Sequence, residues 1–557
     1  MIKYDLMNRI THLKGAIPLK RSLGSILLLL IAATGLFLYD PANTTFYTDD
    51  EWLYIGTASE MFDKGELWIT YWLGEPAYYK PPLSYWLMMP FFLFEGDRIL
   101  QGRLAIGVTT MLTLLLTYWI GRTLCGEKQG LTAALISATS LGFLTYGRVG
   151  MLDMPFTLLL TLAIACLIKA WKEKSALWAG LFWTVAGASV LVKGPVSAVI
   201  LFVICFLTAL FYGGWRILFF SGGAIAGMAA AALFTLSWPA ALYFKGQWDN
   251  WYQFFIIGEN LGKFGDPSVY PAGKFLSYAL QWQAPWTLLL LVALCYAPLH
   301  RRFATLPIGL PLVWGLSILL IYLIPRVRLP WYLLPVVPPA SLLIAAMLKE
   351  YGEKLPFRLA YRATGLLLLA PALVLGILVW NAPFDASQRA FFLVAASSLI
   401  ASALWAWRSR TVPMLLAFAL CVVTLAQGVS SLTDGRLPQD VAASLRASAA
   451  PVAAARIETG RLSQQLWFFS YHLRRNVPES RTAPVIARFL TEQGGRVFIS
   501  DTDLIALKKD LPDRAAALQV LYSWNYWKEN ISPEDIRAAL FQGELGRLME
   551  KVNVVGL

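Results

Sequence analysis

Thr48-Asp49-Asp50-Glu51-Trp52-Leu53-Tyr54 places three consecutive carboxylates shortly after the first long apolar run, about Ser22 to Leu38. Tyr78-Tyr79-Lys80-Pro81-Pro82 follows downstream and sets a lysine in a proline-stiffened turn. Beyond these two stretches the chain is mainly apolar segment, turn and basic connector. A helix needs about 20 apolar residues to cross a bilayer, and on that rule the chain carries about 13 spans. Their centres fall near residues 30, 111, 138, 161, 183, 203, 229, 291, 315, 341, 370, 397 and 420. The expected fold class is therefore a polytopic α-helical membrane protein.

Composition points the same way. Of 557 residues, 57% are hydrophobic and only 15% charged, where soluble domains run nearer a quarter charged. The formal net charge of +13 lies largely in short connectors between apolar runs. It reads as membrane topology and contact with anionic lipid, not as a nucleic-acid surface. The 22 Trp and 23 Tyr suit aromatic belts at two membrane interfaces. Cys125, Cys166, Cys205, Cys295 and Cys421 lie in or beside apolar segments without a Cys-x-x-Cys pair, which argues against a disulfide framework or structural zinc. Lys14, Lys20 and Arg21 precede the first apolar run and no small-residue cleavage motif follows it, so it reads as a signal-anchor helix.

The positive-inside rule orients the spans. A cytoplasmic N-terminus places Arg122/Lys128, Lys169/Lys172/Lys174, Arg216, Arg301/Arg302, Lys349/Lys354/Arg358/Arg362 and Arg408/Arg410 inside. A transmembrane domain over 1–432 then has external loops at 40–102 and 243–284, and an external C-terminal domain over 433–557. In that last domain Val497-Phe498-Ile499-Ser500 reads as a buried strand. Ser532-Pro533-Glu534-Asp535 reads as a helix start, with Ser as N-cap, Pro at the first position and acids in the first turn. A small α/β domain is expected. Lys80, Arg98, Arg103, Arg148, Lys193, Lys245, Lys263, Lys274, Arg326 and Arg328 break the charge trend on the external side. Positive charge on the disfavoured side suits an anionic ligand, and some of these residues suit interfacial snorkelling.

The acidic turn carries two readings. Thr48-x-x-Glu51 matches a capping box, and Asp49 and Asp50 favour the positive end of a helix dipole. Capping accounts less well for Asp50, which shares a helix face with Tyr54 and would be costly beside a membrane cavity unless used. Asp153, in Arg148-Val149-Gly150-Met151-Leu152-Asp153-Met154-Pro155, lies at the same membrane level; it is either an N-cap or a second acid of one site. Ile324-Pro325-Arg326-Val327-Arg328-Leu329-Pro330-Trp331-Tyr332 brings two arginines suited to phosphate. Gly258-Glu259-Asn260-Leu261-Gly262-Lys263-Phe264 is flanked by glycine and reads as a lid or an ordinary solvated loop.

In their order and membrane side, these stretches resemble the GT-C class of polyprenyl-phosphate-sugar transferases. The likeness is greatest to the bacterial branch with 4-amino-4-deoxy-L-arabinose lipid A transferase, and more distant to the protein O-mannosyltransferases. The resemblance implies a GT-C type fold, with Asp50 as catalytic carboxylate, Glu51 beside it and Asp153 as second acid. It implies that Lys80 and Arg326 or Arg328 hold the carrier's phosphate. Tyr54, Tyr79, Glu259 and Tyr332 are expected to line the substrate pocket. Two departures stand out: Tyr79-Lys80-Pro81 replaces Glu-Lys-Pro, and Glu259-Asn260 replaces Glu-His.

The implied reaction moves a sugar from undecaprenyl phosphate to lipid A or another periplasmic acceptor, with inversion. The expected place is a bacterial inner membrane, with the active site and C-terminal domain on the periplasmic side. The leaving phosphate needs positive charge and no proton, so no cofactor is called for, although the acids leave room for a divalent metal nearby. Alternatives are protein O-mannosyl transfer, lipopolysaccharide-core sugar transfer and, outside enzymes, an anionic-lipid flippase.

Overall fold

Apolar segments that must satisfy every backbone group internally fold as helices, and helix dominates this chain. The computed structural model describes residues 19–39, 49–72, 74–265, 271–299, 304–382, 384–430, 439–448, 450–455, 479–480, 482–510, 517–527, 533–542, 544 and 549–556. Lys14, Thr48, Arg301, Arg302 and Ser532, which entered the expectations above, lie outside them.

Among the described residues nine helices are long and apolar enough to cross a membrane: Arg98–Cys125, Asp153–Glu173, Ala176–Lys193, Trp215–Phe244, Leu306–Leu323, Pro330–Tyr351, Leu355–Asn381, Ala386–Trp407 and Thr411–Val429. Three further expected centres fall on the shorter apolar helices Ser22–Leu38, Val196–Tyr212 and Thr287–Pro298. The centre near residue 138 falls where the Glu127–Ala138 helix stops. There Thr139 turns its hydroxyl to the Leu135 carbonyl and accepts the Trp286 indole N–H at 3.0 Å. Gly194, at φ +82°, ends the Ala176–Lys193 helix in a backbone conformation that side chains disfavour. Pro195 then restarts the chain as Val196–Tyr212.

Small residues set the closest helix contact, as is usual where lipid removes the hydrophobic drive to associate. The Ala176–Lys193 and Gly222–Phe244 helices meet through Gly180, Gly187, Gly223 and Gly227. A Cβ on Gly187 would lie 2.2 Å from Ala231 Cα, and one on Gly227 2.2 Å from the Gly180 carbonyl oxygen.

Three of the basic connectors assigned to one side meet at one end of the bundle. Lys172 donates to the Thr123 carbonyl (3.0 Å), Lys349 to the Cys125 carbonyl (2.8 Å), and Arg122 pairs with Glu127 (3.1 Å). Asp153 and Lys172 stand near opposite ends of one helix, so the acidic segments occupy the other end. The segment between residues 243 and 284, expected as a loop, is largely helical. It runs as Trp248–Trp251, a π-helix Tyr252–Leu261, a turn Gly262–Gly265 and Ala272–Gln281.

The C-terminal part forms a five-stranded sheet in the order 479–480, 452–455, 496–500, 549–556, 519–527. The first three strands run parallel and the last two pair antiparallel. Val497 and Ile499 pack against Ile486, Leu490, Leu504 and Leu507, while Phe498 faces the other way into the cluster continuous with the helices. This is the side-chain alternation of a strand covered on both faces. The helix Pro533–Gln542 carries Glu534 and Asp535 in its first turn.

Candidate active site

The acidic turn opens the helix Asp49–Asp63. Adjacent residues on a helix point about 100° apart, and here two neighbouring acids have different fates. Glu51 is buried and held by the Arg103 guanidinium through two bonds, Nε to Oε1 at 2.7 Å and Nη2 to Oε2 at 2.8 Å. Its Oε1 also accepts the Gly150 N–H at 2.8 Å. Glu51, expected beside the catalytic acid, is thus committed to protein partners. Asp50 is half-buried and faces Tyr54, Tyr85 and Tyr332, each of which feels its charge.

A short hairpin, Tyr71–Trp72 with Glu75–Pro76, carries the chain from this helix to Tyr79-Lys80. The Thr70 hydroxyl donates to the Ala77 carbonyl and Ala77 N–H returns to Thr70 O (2.8 Å), closing its base. Lys80 Nζ then reaches Glu259 Oε2 at 2.5 Å, with Lys263 Nζ on the same oxygen at 3.0 Å. Burial pushes the Glu259 carboxyl up, but the charges and hydrogen bonds of Lys80 and Lys263 hold it below the usual carboxylate range. Tyr79 packs edge-on against Phe254, with ring centres 4.6 Å apart.

The expected lid is an aromatic-packed helix. Trp251 and Phe255 bury against Trp238, and Phe255 closes on Gly194, where a Cβ would come within 3.1 Å. Asn260, in the place where the resemblance calls for histidine, donates to the Phe255 carbonyl at 2.6 Å. Lys245 pairs with Glu66 at 2.9 Å and the Tyr78 hydroxyl donates to Gln247 at 2.9 Å, joining this segment to the first loop.

Asp153 is the first residue of its helix, whose N-cap is Leu152; the capping alternative therefore falls away. Its carboxylate, almost wholly buried, takes the ammonium of Lys193. Lys193 Nζ stands 4.5 Å from the Tyr332 ring centre, 5.3 Å from Phe156 and 5.7 Å from Tyr322. Tyr332 sits in the 3₁₀ turn Pro330–Val336 and feels the charges of Lys80, Asp153, Glu259 and Asp50 together. It is the common neighbour of the cluster. The arginines stand further out. Arg326 is exposed, and its backbone N–H donates to the Lys263 carbonyl at 3.0 Å. Arg328 donates to the Leu323 carbonyl at 2.9 Å. Among the described residues, the Glu259 carboxylate pairs with Lys80 and Lys263 and not with either guanidinium.

The structure therefore gathers Asp50, Tyr54, Tyr79, Lys80, Asp153, Glu259 and Tyr332, and adds Lys193, Lys263 and Tyr85. Lys193 and Lys263 were visible in the sequence only as positive charge on the disfavoured side. Tyr85, fully buried between Asp50 and Glu259, carried no signal. Burial pushes both hydroxyls up, helped at Tyr54 by the charge of Asp50 and at Tyr85 by those of Glu259 and Asp50, so both stay protonated donors. Among the described residues no three of His, Cys, Asp and Glu come together as a metal-ligand set. A cavity of about 460 Å³ opens beside the cluster, lined by Gly258, Glu259, Gly262, Lys263, Gly265 and Val327.

Comparison with known proteins bears on the fold that carries this arrangement. Residues 79–239 match the dolichyl-phosphate-mannose-protein mannosyltransferase family. The chain superimposes on ArnT from Cupriavidus metallidurans bound to undecaprenyl phosphate, with a TM-score of 0.66 over 95% of this chain and 98% of that one, at 15% identity. The fold is that of ArnT. The undecaprenyl phosphate-α-4-amino-4-deoxy-L-arabinose arabinosyl transferase of Pseudomonas aeruginosa is 29% identical over 62% of the chain. Transferase 1 of that name from Pseudomonas fluorescens is 27% identical over 61%. The matches span 63% and 61% of those relatives' own length.

Proposed function

We propose that this GT-C chain is a membrane glycosyltransferase that takes a sugar from undecaprenyl phosphate. The sugar best supported is 4-amino-4-deoxy-L-arabinose and the acceptor is lipid A, at the periplasmic face of a bacterial inner membrane. One observation carries the reading: two aspartates and three lysines converge on Tyr332 at one end of an apolar helix bundle. The names of the relatives supply the sugar and the carrier.

In this reaction an acceptor oxygen attacks the anomeric carbon from the face opposite the phosphate. The carbon–oxygen bond to the carrier breaks, and the electron pair leaves with the phosphate. Lys80 and Lys263 meet that growing charge, which needs no proton. Asp50 stabilises the cationic sugar ring, as carboxylates do in glycoside chemistry, or takes the proton of a hydroxyl acceptor. A lipid A phosphate is already ionised and leaves Asp50 only the first task.

The test is release of free undecaprenyl phosphate from the sugar-loaded carrier by the purified full chain. The Asp50→Asn protein should lose at least about a hundredfold in turnover while still binding undecaprenyl phosphate. Near-normal turnover by that variant removes the mechanism. Mass spectrometry of lipid A with and without the protein fixes the acceptor. An unchanged profile under proven expression favours the second reading, transfer to a protein hydroxyl, which the match to the mannosyltransferase family supports.

A further inference from the structure

Glu51 touches Arg103 and Gly150 inside the fold, and those contacts join the three segments that carry the site. The helix Asp49–Asp63 brings Asp50, one residue before Glu51. The helix Arg98–Cys125 brings Arg103. The turn after Gly147 leads directly to Asp153 and is fixed twice on that same helix side. Thr110 donates its hydroxyl to the Gly147 carbonyl at 2.7 Å, and Glu51, clamped by Arg103, accepts the Gly150 N–H at 2.8 Å. Arg103 and Thr110 are seven residues apart, two helical turns, and so share one face.

The packing leaves little freedom in this joint. Ile55, one turn beyond Glu51, fits against two glycines. A Cβ on Gly150 would lie 2.5 Å from Ile55 Cδ1 and 3.1 Å from Glu51 Cγ, and one on Gly102 would lie 2.9 Å from Ile55 Cγ1. The Glu51 and Arg103 side chains are 0% and 2% exposed. A wholly buried pair of this kind rarely adds net stability over apolar substitutes, and its best-attested use is to specify one geometry.

We infer that Glu51 is a positioning residue: with Arg103 it sets where Asp50 and Asp153 stand relative to each other, and it meets neither the sugar nor a transferred proton. This rests on the function proposed above. Asp50 and Asp153 reach the cluster from separate segments, and the Glu51 carboxylate is the point at which both segments are tied. Removing the clamp lets the turn before Asp153 move against the Asp50 helix. Lys80 and Lys263, on other segments, keep their hold on phosphate.

The experiment uses the full chain in lipid nanodiscs, with undecaprenyl phosphate–4-amino-4-deoxy-L-arabinose as donor. The variants are Glu51→Gln, Arg103→Met, Arg103→Lys and the double Glu51→Gln/Arg103→Met. Each neutral single substitution should lower kcat about a hundredfold, the usual cost of misplacing reacting groups by about an ångström. The donor KM should stay within about threefold, and the pH profile of the remaining activity should keep its wild-type shape. The double substitution should be no worse than the poorer single one, because the two residues act as a unit. Arg103→Lys, which keeps the charge and loses the fork, should fall between. If the singles fail to fold because one buried charge is left unpaired, the double variant, which leaves none, decides the matter. A near-normal Arg103→Met beside an inactive Glu51→Gln, or a displaced pH profile, would assign Glu51 to the chemistry and overturn the inference. Full activity in the double variant overturns it equally. Asp50→Asn run in parallel separates the two claims, since its activity bears on the function and not on the clamp.

Discussion

Lys80 Nζ and Glu259 Oε2 lie 2.5 Å apart, and the same oxygen meets Lys263 Nζ at 3.0 Å. A protein carboxylate thus occupies the two lysines assigned to the donor phosphate. A phosphate entering the site must take over those charges from Glu259. Substituting Glu259 by Gln removes the internal competitor and leaves both ammonium groups for the ligand. Undecaprenyl phosphate should then bind about tenfold more tightly, ~1.4 kcal/mol, by titration in nanodiscs. Weaker binding would mean that Glu259 orders the lysines and does not compete.

The same contact gives a pH dependence whose sign is fixed. Lys80 and Lys263 hold the Glu259 carboxyl below its ordinary value against the opposing effect of burial. The folded state therefore favours the ionised form. Its contribution is complete above the unfolded value, about 4.3, and is lost as pH falls through the lower, folded value. A spin label at Leu261→Cys, with Cys295 replaced by Ser, should show constant mobility from about pH 8 to pH 5 and increase only below about pH 4. An increase near neutral pH would point to a different group anchoring the 252–265 segment.

The helices were legible because a long apolar run has one stable form in a bilayer. Asp50 and Asp153 stood out because a carboxylate at the end of such a run is costly unless it has work to do. The pairing of Asp153 with Lys193 was not legible, since it depends on where two helices cross. The difference between Asp50 and Glu51 was equally hidden. As neighbours in sequence they look alike, and only the helical rotation, with an arginine 52 residues away, separates the site-facing acid from the clamp. The 252–265 segment looked like a loop because of its glycines. Its aromatics Phe254 and Phe255, with Trp251 just before them, instead fold it onto Trp238 and Tyr79.

Helix contact through glycine predicts a sharp stability effect far from the chemistry. A Cβ at Gly187 would sit 2.2 Å from Ala231 Cα and 2.7 Å from its carbonyl oxygen, and backbone cannot step aside as a side chain can. Gly187→Val should force the Ala176–Lys193 and Gly222–Phe244 helices apart and cost about 1–3 kcal/mol. Thermal unfolding in detergent should show it. Gly222→Ala, where nothing lies within 4 Å, is the matched control and should leave the transition in place.

Lys193 and Asp153 allow stability and activity to be separated. Both side chains are under 10% exposed, so Lys193→Met strands an ionised Asp153 in the interior. Breaking a buried pair from one side costs about 3–5 kcal/mol, and the single variant should unfold at clearly lower temperature. Lys193→Met/Asp153→Asn removes both charges while keeping similar volumes, so most of the lost stability should return. Activity should not return with it, because Asp153 and Lys193 are among the charges that converge on Tyr332, where the sugar is proposed to change hands. The measurements are unfolding temperature and undecaprenyl phosphate release on the same preparations. A stable double variant with wild-type turnover would reduce the pair to a structural strut and take Asp153 out of the site, leaving Asp50 as its one acid toward the sugar.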